Sequence, residues 1–232
     1  MNKVRVLINA SPRSGHTWLQ YLLVNSLKES QHINLGDTVN EFVVRSNNPV
    51  ILHARFDDIL QTSILRSPED IIASIVTKTM GGLGNTVTSG VPMPHEYNEL
   101  PPLERLVADQ FGIYKLWSST LIENLDRVKA FTFDQITNDP GFVINSVMKN
   151  FGADYDVLSN DKLSDAIDDA RVKIFQHNKG DIGFNNPLPV EKKPDIYYEI
   201  KEIAKNHPQM STSLKLYSEY CNIILEEQSK WK

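Results

Sequence analysis

Cysteine is almost missing from this chain: Cys221 is the only one in 232 residues. An internal disulfide and a cysteine-based metal site are therefore excluded, which suits a reducing compartment. Long apolar runs are missing too. No stretch reaches the roughly 20 apolar residues that a membrane helix requires. The early run Val4 to Ile8 is short and is interrupted by Arg5, so it does not read as a signal peptide. The expectation is a soluble, cytoplasmic chain with no membrane partner. A surplus of basic charge is the third absence. Against 29 acidic residues stand 24 Lys and Arg, a net charge of -5, which argues against a general nucleic-acid or anionic-membrane binder while leaving room for a local basic pocket. What is present is a globular balance, 41% hydrophobic and 23% charged, enough to bury a core.

Strand and helix patterns alternate along the chain. Val4 to Ile8 reads as a buried first strand. After a polar loop, Asn9 to Ser14, the spacing of Trp18, Leu19, Leu22, Leu23 and Leu27 predicts a helix from about Gly15 to Lys28. Phe42 to Val44, Val50 to His53 and Ser63 to Arg66 read as further strands. Ser67 is a good N-cap, with Pro68 at the first helical position and Glu69 and Asp70 in the first turn. Residues 79–102 carry Gly81, Gly82, Gly84, Gly90 and four prolines without periodicity, and predict a long loop. A helix from about Leu103 to Asn124, a strand Val128 to Phe133 and a helix opened by Asp139-Pro140 and running to about Phe151 follow. Helical stretches near 161–173, 195–206 and 211–228 close the chain, with a second loop over about 177–194. The alternation predicts a single α/β domain, residues 1–232, around a largely parallel sheet flanked by helices.

The first loop is built for an anion. Strand, small polar loop and helix start bring free N–H groups and the positive end of a helix dipole to one point. Compared with the nucleoside-triphosphatase loop, Gly15 and Thr17 match its second glycine and its hydroxyl. Ala10 replaces the first glycine, His16 stands where the lysine belongs, and the positive charge has moved to Arg13. A second cation, Arg66, closes a predicted strand, and Ser74 lies eight residues further on.

With these residues the chain resembles the sulfotransferase family, whose donor is 3′-phosphoadenosine 5′-phosphosulfate (PAPS). The family's 5′-phosphosulfate loop reads Pro, Lys or Arg, Ser, Gly, Ser or Thr, Thr, Trp; here it is Pro12-Arg13-Ser14-Gly15-His16-Thr17-Trp18. Its 3′-phosphate segment pairs an Arg with a Ser eight residues later, as Arg66 and Ser74 do. Phe131 to Ile136 before Asp139-Pro140 looks like the family's strand-and-turn segment. The likeness covers residues 4 to about 151 and implies a P-loop-like architecture. It implies PAPS as donor, PAP as product and no metal. Arg13, Ser14, Gly15, His16 and Thr17 would hold the 5′-phosphosulfate, Arg66 and Ser74 the 3′-phosphate. Trp18 matches an adenine-stacking position and equally fits a core position on the first helix.

The chain also departs from the family. His16 replaces a Ser or Thr. The late glycine motif that clamps the 3′-phosphate has its nearest match at Asn178-Lys179-Gly180, with Asn178 in place of Arg and Lys179 offering the charge. His53 aligns with the family's general base, but Ile51 stands where a Lys is usual. The resemblance thus makes His53 and Arg13 the catalytic pair: His53 takes the acceptor's proton and Arg13 stabilises the charge that develops as the bond breaks. His16 and Glu41 are the alternative bases. The acceptor is a small molecule or a glycan. The loop 79–102, with Met80, Val91, Met93, His95 and Tyr97, does not choose among alcohols, phenols and sugars. Two other readings stand beside this one: a P-loop kinase of small molecules or nucleotides, and a nucleotide-binding module without catalysis.

Overall fold

The computed structural model describes residues 5–29, 43–57, 59–80, 101–149, 158–177, 193 and 195–231. In chain order these form strand β1 (Arg5–Asn9), helix α1 (His16–Glu29), β2 (Val43–Ser46), β3 (Ile59–Leu65), α2 (Pro68–Met80), α3 (Pro102–Glu123), β4 (Val128–Thr132), α4 (Phe133–Asn138), α5 (Pro140–Met148), α6 (Asn160–His177), α7 (Asp195–Asn206) and α8 (Met210–Gln228). Among the described residues the strands make one parallel sheet in the order β2-β1-β3-β4. Ile8 pairs with Arg45 on one side and Thr62 on the other, and Leu65 pairs with Thr132.

Helices cover both faces, as a parallel sheet requires. Alternation along the strands divides the side chains. Val6, Ile8, Ile64 and Phe131 meet Leu19, Leu22 and Leu23 of α1 and Val143, Ile144 and Val147 of α5. Leu65, Val128 and Ala130 face the opposite way, onto Ile113, Trp117 and Leu121 of α3 and Ile224 of α8. A third cluster joins α2, α3 and α7 through Ile72, Val76, Phe111, Tyr197 and Ile200. Burial of each such side chain contributes about 1.5–3 kcal/mol, several times any difference in helix propensity. Packing therefore decides where these helices lie. Among the described residues no helix is long and apolar enough to cross a membrane.

Two local readings of the sequence are corrected. Residues Val50 to His53 do not form a strand. They belong to a 3₁₀ turn, Pro49–His53, whose first turn is capped by the Asn48 side chain accepting from Val50 N at 3.0 Å. Pro49 has no N–H to give a ladder, and an Asn before it offers the backbone a turn instead. The predicted strand ending at Phe133 stops at Thr132, which opens α4 with a capping box. Gln135 N donates to Thr132 Oγ1 at 3.2 Å, and Thr132 N donates to Gln135 Oε1 at 2.9 Å. The interiors of the predicted loops 79–102 and 177–194 lie outside the described residues, apart from Lys193.

In a parallel sheet the loops after all strands emerge at one edge. Because β1 and β3 are neighbours, the segment after Asn9 and the segment after Leu65 lie side by side there. The second segment is braced from below by Asp70. Its carboxylate accepts from Ser67 Oγ at 3.0 Å, Tyr197 Oη at 2.8 Å and Lys201 Nζ at 2.7 Å, which ties α2 to α7. Burial pushes the Asp70 carboxyl up, but the Lys201 and Tyr197 hydrogen bonds and the Arg66 charge outweigh it and hold it below the usual range.

Candidate functional site

The turn after β1 needs an unusual backbone. Arg13 has φ 65° and Gly15 has φ 101°. A Cβ at Gly15 would meet Ile136 Cδ1 at 2.7 Å and the Phe133 ring at 3.0 Å, so both conformation and space demand glycine. The turn is closed from within. Ser14 N and Ser14 Oγ both donate to Ser11 O, at 3.2 and 2.6 Å. Helix α1 then starts at His16 with no acidic residue in its first turn. Its first N–H groups, which have no partner inside the helix, are left facing the loop side.

Two arginines meet here. Arg13 Nε donates to Ser74 Oγ at 3.0 Å. Arg66 Nη1 donates to Arg13 O at 2.7 Å, and its guanidinium lies 4.2 Å over the Phe133 ring. Burial, and then Arg66, lowers the Arg13 pKa. More cations surround the pair. Lys78 is lowered by burial and by Arg13. Lys193 is lowered to about 8 by burial, then by Arg66 and Arg13. His16 is lowered to about 4 by burial, then by Arg45, Arg13 and Lys78, and is neutral at pH 7. Arg45 Nη1 in turn donates to Thr17 Oγ1 at 2.7 Å. Burial lowers the Arg66 pKa against the opposing pull of Asp70, Tyr197, Tyr217 and Asp134. Positive groups pushed toward their neutral forms chiefly by burial, gathered near one helix start in a chain of net charge -5, make a positive site suited to an anion. Beside it an open groove of about 560 Å³ is lined by His16, Gln20 and the edge from Val43 to Asn47, a size in the range of small-molecule sites.

The residues singled out in the sequence fare differently. Arg13, Ser14, Gly15, His16, Thr17, Arg66 and Ser74 are brought together. Ser14 contributes no free hydroxyl, because its Oγ closes the turn. Trp18 is 3% exposed, packs in the α1 core and donates Nε1–H to Ile136 O at 2.9 Å. No face of its ring is open to an adenine. His53 is not brought to the cluster. It is exposed, its Nδ1 lies 3.2 Å from Asn124 Nδ2, and its carbonyl accepts from Arg127 at 3.0 Å. Asn124 ends α3 and Arg127 precedes β4, so His53 sits toward the edge where the strands enter, away from Arg13. Lys179, Gly180 and Glu41 lie outside the described residues.

Three cations were not anticipated. Lys78 is one helical turn beyond Ser74, and the i, i+4 spacing puts both on one face of α2, so it was legible. Arg45 becomes relevant only once β2 pairs with β1. Lys193 has no local signal, because its approach depends on how the chain returns before α7. Set against models of known protein families and against curated proteins, the chain matches none.

Proposed function

We propose that this protein transfers a sulfuryl group from PAPS to the hydroxyl or amine of a small-molecule or glycan acceptor, on a P-loop-like scaffold. The observation that carries this reading is the pair Arg13 and Arg66 at the carboxyl ends of two adjacent strands, with Lys78 of α2 and Lys193 before α7 near them, beside a helix start free of acidic residues. A donor with phosphate at both ends of an adenosine needs such paired cationic loops. The cradle lacks the lysine that a kinase would bring to the β- and γ-phosphates.

In this reading the acceptor occupies the groove at the β2 edge and its heteroatom attacks sulfur in line. The bond from sulfur to the bridging oxygen breaks, PAP leaves, and the acceptor's proton passes to a base. Arg13 neutralises charge growing on the bridging oxygen. His16, held neutral first by burial and then by Arg45, Arg13 and Lys78, is the imidazole at the cradle and takes the place that His53 was expected to fill. Bound PAPS, a polyanion, offsets the cationic part of that shift and moves the His16 pKa upward, while the part due to burial stays.

Titration calorimetry without magnesium tests the reading. PAPS should bind roughly 10–150-fold more tightly than adenosine 5′-phosphosulfate, the worth of one charge-assisted contact to the 3′-phosphate. Equal affinities for the two would remove the 3′-phosphate argument. The exposed position of His53 favours a second reading, a nucleotide-binding module without turnover. PAP binding with no product from a panel of acceptors would select it.

A further inference from the structure

Beneath the cradle, between β3 and α3, lies a cavity with about 10 Å³ of room for the centre of a water molecule. Ser11, Leu65, Arg66, Tyr114 and Trp117 are among the residues that line it. Three buried polar atoms of these residues, Ser11 Oγ, Arg66 Nε and Tyr114 Oη, have no hydrogen-bond partner among the described residues. Each alone would cost about 1–3 kcal/mol of desolvation. All three residues line a void of one-water size, and a buried water needs that volume and two to four polar partners.

We propose that one ordered water fills this cavity, held by Ser11, Arg66 and Tyr114, and that through it Tyr114 orients the Arg66 guanidinium. Each of the three unpartnered atoms gains a partner. The water accepts from Arg66 Nε–H and Tyr114 O–H and donates to Ser11 Oγ. Arg66 is then fixed at three points: Nη1 on Arg13 O, its face on Phe133, and Nε on the water. Burial pushes the Tyr114 hydroxyl well above its ordinary pKa, so it stays a donor at every working pH. Tyr114 is thereby a positioning residue, two shells from any bound anion. The water does not depend on the identity of the donor; only the use made of Arg66 rests on the proposed function.

The substitution Tyr114→Phe separates the alternatives by sign. Loss of a water-bridged hydroxyl should lower the melting temperature by about 2–4 °C, the shift that about 1 kcal/mol produces in a chain of this size. Removal of an unsatisfied hydroxyl would leave it unchanged or raise it, and either result overturns the proposal. A crystal structure of the wild-type protein should show a water within hydrogen-bonding distance of all three atoms; a dry cavity overturns it as well. For the positioning role, inorganic sulfate binding followed at 25 °C should weaken about 3–10-fold in Tyr114→Phe. Unchanged sulfate affinity would reduce Tyr114 to a structural part. Sulfate serves as the probe so that failure of PAP to bind, which would sink the donor reading, leaves this test intact.

Discussion

Acid should destabilise this protein through His16, and by an amount that can be worked out. In the folded chain the imidazole titrates at about 4, chiefly because it is buried and then because Arg45, Arg13 and Lys78 surround it. Unfolded, it titrates near its ordinary value of about 6.5. Between these values the unfolded chain binds the proton and the folded chain does not. Stability is therefore fully present above pH 6.5 and is lost as the pH falls through 4. The loss from this one group is about 2 kcal/mol at pH 5 and about 3 kcal/mol at pH 4. Urea denaturation of the wild-type protein and of His16→Gln, measured from pH 7.5 to 4, isolates the term, since every other titrating group cancels in the difference. The wild-type protein should lose this much stability relative to the variant across the range. A difference that stays flat with pH would refute the placement of His16 among buried cations. Added sulfate should shrink the effect, because an anion in the cradle raises the folded pKa.

Other outcomes follow from the same geometry. Gly15→Ala should cost roughly 2–5 kcal/mol, combining a strained positive φ with overpacking against Ile136 and Phe133, and it should abolish anion binding; a normal melting curve would contradict the cradle's shape. Sulfate or PAP affinity should fall as the pH rises through about 8, where Lys193 loses its proton, and Lys193→Ala should bind more weakly at pH 7 and lose most of that dependence. Arg66→Ala should weaken PAP binding, whereas Arg13→Ala should act mainly on turnover, a contrast that paired calorimetry and rate measurements resolve. His53→Ala should leave PAP affinity and any turnover unchanged, and a loss of roughly 10²-fold or more in turnover alone would restore His53 as the base.

Much of the architecture was written locally. The apolar stripe of Trp18, Leu19, Leu22, Leu23 and Leu27 marks α1, and the compact apolar run of β1 marks a buried strand, because periodicity reports burial directly; of β3 only the end from Ser63 was legible, since Gln61 and Thr62 interrupt its apolar pattern. Gly15 was legible because a tight turn into a helix calls for glycine, and Arg13 because it is the charge within that loop. Segments where the local chemistry was ambiguous read less well. The run from Val50 to His53 is apolar enough for a strand, yet Asn48 and Pro49 turn it into a capped 3₁₀ segment, and that shift carries His53 away from the cradle. Thr132 and Gln135 likewise end β4 one residue early by capping the next helix.

Contacts between distant segments were decided only by the fold. Sequence spacing pairs Arg66 with Ser74; tertiary packing instead gives Ser74 Oγ to Arg13 and Arg66 to the Arg13 carbonyl. Trp18 looked equally suited to a ligand and to a core, and the carbonyl of Ile136, 118 residues away, settles it for the core. The depressed pKa of His16 and the approach of Lys193 are also products of assembly. A residue's type is local, but its desolvation and its charged neighbours are sums over everything that packs around it. The sequence by itself determined most of the strands and helices and the glycine turn that joins β1 to α1. The tertiary structure decided which cations gather at that loop, which imidazole accompanies them, and which buried polar atoms line the void beneath it.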